Sequence, residues 1–132
     1  MKKAAFAIVL TLAGLSASAF AQASFAFHAD VPFAFSVDGH QYSAGTYDLM
    51  AKNSSAAILR NRHTGESGLI PLISPQLTKT AKPYLRFSKA SDKAILLMVT
   101  DADGQSWRVP VSRKEKDEAR NPESKTIAVA MR

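Results

Sequence analysis

An all-β fold of about eight short antiparallel strands, in a meander forming a small barrel or sandwich, is predicted by three observations. Val31, Phe33, Phe35 and Val37 recur at every second position, the spacing that puts side chains on one face of a strand. Short apolar runs separated by turn residues then continue to the end of the chain, a rhythm typical of small all-β domains. Ala94 to Val99 is a six-residue apolar run without alternation, as expected of a central strand covered on both faces.

The chain opens differently. Met1-Lys2-Lys3 is a basic start, Ala4 to Leu15 is apolar except for Thr11 and Gly14, and Ala19-Phe20-Ala21 and Ala21-Gln22-Ala23 are small-x-small cleavage sites. That order of parts predicts a secretory signal peptide over residues 1–21, cut after Ala21 or Ala23. The apolar run is shorter than the ~20 residues that a membrane span requires. A chain of 132 residues then becomes a single β domain over 22–132, enough for one core. Losing Lys2 and Lys3 takes 17 basic residues to 15 against 11 acidic ones, so the net charge falls from +6 to +4. A surplus of that size, spread along the chain, does not point to nucleic acid. Without cysteine there is no disulfide, and stability must come from packing.

After the Val31–Val37 strand, Asp38-Gly39 offers a tight reversal, because glycine enters positive φ freely and aspartate tolerates it. Ala44-Gly45 is a second turn, and Thr46 to Ala51 a second strand. Lys52-Asn53-Ser54-Ser55 turns the chain into Ala56 to Asn61, with Ile58 and Leu59 on opposite faces. His63-Thr64-Gly65-Glu66 reverses it again, into Gly68 to Ile73. Pro71 donates no ladder hydrogen bond, so that strand belongs at an edge or a bulge. Ser74 to Pro83 has no clear period and reads as a long loop. Tyr84 to Ser88 alternates, with Leu85 and Phe87 inward, and Lys89 to Lys93 leads into the central strand. Asp101-Ala102-Asp103-Gly104 is a hairpin signal, and Trp107, Val109 and Val111 alternate inward after it. Ser112-Arg113-Lys114-Glu115 fits a capping box, predicting one short helix to about Arg120 that lies mostly in solvent and stops at Asn121-Pro122. Thr126 to Met131 is the last strand.

Val31-Pro32-Phe33-Ala34-Phe35-Ser36-Val37, followed by Ala44-Gly45-Thr46-Tyr47, resembles a family of small exported proteins abundant in acidobacterial genomes. Its members carry a signal peptide, a Val/Ile-Pro-Phe-x-Phe-x-Val strand, a Pro-Ala-Gly-x-Tyr turn, several hairpins and a charged segment near the C-terminus. The specific part of the likeness is confined to residues 31–47, and Ser43 stands where the family has proline. The resemblance implies a compact β domain and an exported location, periplasmic or extracellular. It implies no activity, so no catalytic residue is carried over from it.

Motifs for chemistry are sparse. His28, His40 and His63 share no local ligand spacing, although folding can bring two of them near Asp30 or Asp38. Asp101-x-Asp103-Gly104 begins like a calcium loop but lacks its third acidic position and distal glutamate. Gly65-Glu66-Ser67-Gly68 is one residue short of a nucleophile elbow and lies in a hairpin. No catalytic, cofactor-binding or metal-binding residue is assigned. One binding site is expected instead: Tyr84 and Arg86, opposite Leu85 and Phe87, together with Lys79 and Lys82 of the long loop, forming an aromatic and cationic surface for a sugar or acidic ligand. Trp107 is expected in the core. The function predicted is an exported, non-enzymatic binding or scaffolding domain, its partner a small molecule, a glycan or a protein. The alternatives are a carrier with a small apolar ligand inside the barrel, and a hydrolase whose site is assembled from distant residues.

Overall fold

In the computed structural model, residues 25–79, 82–91 and 93–132 are described; the expected export signal at 1–21 lies outside them. They form eleven strands and one helix. Strands β1 (Ala26–Val31), β4 (Gly45–Asn53), β5 (Ala56–Asn61) and β6 (Ser67–Pro71) make a four-stranded sheet in the order β1-β4-β5-β6. The second sheet has the order β11-β8-β9-β10-β7, from β11 (Lys125–Ala130), β8 (Tyr84–Ala90), β9 (Lys93–Thr100), β10 (Gln105–Arg108) and β7 (Ile73–Leu77). To it are added β2 (Phe35–Val37) and β3 (His40–Tyr42). Helix α1 (Arg113–Ala119) precedes the last strand. The all-β class and the single late helix are as predicted, the sheets curling into a half-barrel or sandwich.

Three expectations are corrected. The strands number eleven rather than about eight. Of the alternating set, Val31, Phe35 and Val37 are buried and Phe33 is half-buried, but the set spans two strands in different sheets, and Ser36 between Phe35 and Val37 is buried as well. Pro32 supplies no ladder N–H, which suits a stop after Val31, and the chain crosses from one sheet to the other before Phe35. There β2 makes a parallel bridge, Ser36 to Ile95, in a sheet otherwise antiparallel. The third correction is Ser74–Leu77, read as the start of a long loop, which belongs with Ile73 to strand β7 paired to β10. Fully exposed and interrupted by Pro75, it carries no inward alternation for a sequence reading to detect. Helix α1 is capped by Ser112 and Glu115 and lies mostly in solvent, both as expected, with Glu115 its buried residue.

Other turns follow the local chemistry. Asp38 and Gly39 both have positive φ (48° and 83°) between paired Val37 and His40, which is how a two-residue hairpin matches strand twist. The Asp101 carboxylate accepts from the N–H groups of Asp103 and Gln105 in the hairpin before β10. Pro71 does lie on an edge strand of its sheet.

The core between the sheets is aromatic. Phe35 stacks on Tyr42 at 5.3 Å and meets Tyr47 and Phe87 edge-on at 5.3 and 5.4 Å. Leu85, Phe87 and Trp107 are buried as expected, and so is Val109; Val111 is only half-buried and lies beyond the end of β10. Tyr42 reaches the four-stranded sheet at Gly68, where an added Cβ would lie 2.1 Å from the tyrosine hydroxyl. The contact accounts for glycine inside β6.

Candidate functional site

The outer face of the larger sheet follows from what its strands bury. Leu85 and Phe87, Val99, and Trp107 point into the core, so their neighbours Arg86, Met98 and Arg108 point the other way. Cross-strand register aligns these in one row, with Arg86 opposite Met98 and Met98 opposite Arg108. At the ends of the row stand Ala128 on β11 and Ile73 on β7. Two strand spacings separate the arginine backbones by about 9.5 Å.

Tyr84, one row along, is tied to Arg86. The guanidinium lies 5.7 Å from the ring centroid, and Arg86 Nη2 donates to the tyrosine hydroxyl at 3.3 Å. The remainder of that row is closed: Thr100 and Ser106 are fully buried, their hydroxyls 2.7 Å apart. Of the four expected site residues, Tyr84 and Arg86 are therefore brought together. Lys79 and Lys82 are exposed on the segment between β7 and β8. Arg108 is the residue that the sequence reading missed. Its only signal was a place next to Trp107, which becomes informative once Trp107 is known to point inward.

Electrostatically the row is one-sided. Among the described residues the ion pairs are His28–Asp48, His40–Glu66, Arg62–Asp48, Lys93–Glu118 and Arg132–Asp30. Neither Arg86 nor Arg108 takes part in any of them. Two guanidinium groups outside every ion pair of the described residues, beside a thioether and a phenol ring, can hold an anion and an apolar surface together.

Two other clusters are already satisfied. On the outer face of the smaller sheet, Asp48 accepts from Arg62 Nε at 2.9 Å and lies 2.5 Å from His28 Nδ1. What burial Asp48 has pushes its carboxyl up, but the hydrogen bonds from His28 and Arg62 hold it below the ordinary aspartate value. The nearby Thr46 hydroxyl donates to Asp30 rather than to the histidine, so this is a charge network without an activated nucleophile. The second cluster lines a depression of about 190 Å³ beside α1. There the Glu115 carboxylate accepts from the Ser36 hydroxyl and from the N–H groups of Ser112 and Gly39. Burial pushes this carboxyl up, and the hydrogen bonds outweigh it, leaving the group below the ordinary glutamate value. These bonds fasten α1 to the β2–β3 hairpin.

No three His, Cys, Asp or Glu groups among the described residues converge on a point fit for a metal ion. The chain matches no family model, no curated protein and no solved structure.

Proposed function

We propose that this protein is an exported, non-enzymatic binding domain that holds an acidic ligand on the outer face of its larger sheet. The observation that carries the reading is the row Arg86–Met98–Arg108, two arginines without an acid partner among the described residues, on either side of a thioether. Tyr84 adds an aromatic ring packed on Arg86. Export is supported by the basic start, apolar run and Ala-x-Ala sites at 1–23 and by the family resemblance of residues 31–47. The interior filled by Phe35, Tyr42, Tyr47, Phe87 and Trp107 weighs against a carrier, which needs space between its sheets.

The test uses the chain from residue 22 with dextran sulfate as the acidic probe and neutral dextran as the control. Binding to the sulfated polymer alone is expected, falling as salt rises because the contacts are ionic. Replacing both arginines (Arg86→Ala with Arg108→Ala) should abolish it. Equal retention of both polymers, or full binding by the double variant, would sink the reading.

A further inference from the structure

The cationic row has an apolar neighbour. Strands β6 and β7 follow one another through Leu72, and burial alternates along them: Ile70 and Leu72 are buried, whereas Leu69 and Ile73 are 55% and 44% exposed and Pro71 is half-buried. Leu69, Pro71 and Ile73 thus form an outward ridge where the chain passes from one sheet to the other. Register extends it in both directions. On the smaller sheet Leu69 stands opposite Ile58, and Ile58 opposite Met50, which is 43% exposed. On the larger sheet Ile73 stands opposite Arg108 and so leads into the row of two unpaired arginines. Glu66, the acid closest in sequence to the ridge, lies 4.0 Å from His40.

Resting on the acidic-ligand reading above, we infer that the acidic partner is an anionic lipid surface, met along the Leu69–Pro71–Ile73 ridge. A soluble polyanion would satisfy the arginines but leave Leu69, Ile73 and Met50 in water. The boundary between headgroups and acyl chains offers negative charge and apolar depth side by side, and apolar tips flanked by cations match it. Pro71 and Pro75 speak against a second copy adding a strand here, since each removes an N–H from the edge. The exported location supplies the opportunity, because such a protein faces membrane surfaces directly.

The experiment compares cosedimentation of the chain from residue 22 with vesicles of phosphatidylcholine alone and of phosphatidylcholine mixed with phosphatidylglycerol. Binding to the mixed vesicles only is expected. The paired changes Leu69→Ser and Ile73→Ser should weaken it roughly tenfold or more, as loss of partly buried aliphatic groups implies, while leaving dextran sulfate binding intact. If the pair does not fold, Leu69→Ser alone gives the same readout in smaller measure. Binding to dextran sulfate without binding to vesicles overturns the lipid inference and leaves the acidic-ligand reading standing, with an acidic glycan in its place. Vesicle binding that ignores both serine variants overturns the ridge. Failure to bind either probe removes both readings.

Discussion

Glu115 shows how one side chain ties distant segments together. It caps its own helix through Ser112 and accepts from Ser36, 79 residues away. Glu115→Gln should cost about 1–3 kcal/mol at neutral pH, the scale for disrupting a buried, charge-assisted hydrogen bond. Because the folded carboxyl titrates below its unfolded value, its contribution is fully present above roughly pH 4.3 and fades as pH falls through the folded value. Denaturant melts at pH 7 and pH 3 should therefore show the wild-type advantage shrinking on the acid side; a gap that widens there would be incompatible with this sign. A second single-residue test concerns Gly68, where any Cβ meets the hydroxyl of buried Tyr42. Gly68→Ala should destabilise by about 1–3 kcal/mol, the usual range for overpacking. Adding Tyr42→Phe should return part of that loss, so the two changes are not additive. Additive melting shifts would show that the contact is relaxed elsewhere.

At the scale of elements, turns and caps were legible and partners were not. Asp38-Gly39 and Ser112-x-x-Glu115 act within a few residues, so their chemistry is written locally. Gly39→Ala should cost about 1–2 kcal/mol by forcing a Cβ into the left-handed region, seen as a lower denaturation midpoint with an unchanged slope. A rise in stability would mean that the hairpin has another geometry. Strand β7 is the opposite case. With every residue exposed and a proline at its centre, it is a strand only because β10 offers it a ladder. The break between β1 and β2 was equally hidden: the period of two persists through it, and the change of sheet depends on what each half pairs with.

For the molecule as a whole, the question is where charge is left over. Among the described residues Asp30, Asp48, Glu66 and Glu118 are matched to bases, whereas Arg86 and Arg108 take part in none of these ion pairs. Removing both should cost no more than about 1 kcal/mol, the scale of the Arg86–Tyr84 contact that is lost with it, while polyanion binding is lost. A double variant that melts well below the parent would mean that the arginines serve the fold instead. Half of this site could be read beforehand, since Tyr84 and Arg86 are neighbours on one strand. Arg108 lies 22 positions further on, and no spacing rule reaches that far.

The sequence by itself determined the β class, the inward set Leu85, Phe87 and Trp107, the capped helix and the tight hairpin, because each rests on backbone preference or on alternation within a few residues. Only the tertiary structure decided that Phe35 leaves Val31 for the opposite sheet, that Glu115 finds Ser36, and that Arg86 and Arg108 flank Met98. The first two join segments far apart in the chain, and the third depends on the register of successive strands, shifted by a bulge after Arg86; each is set by how whole side-chain layers pack and not by any one segment's own pattern.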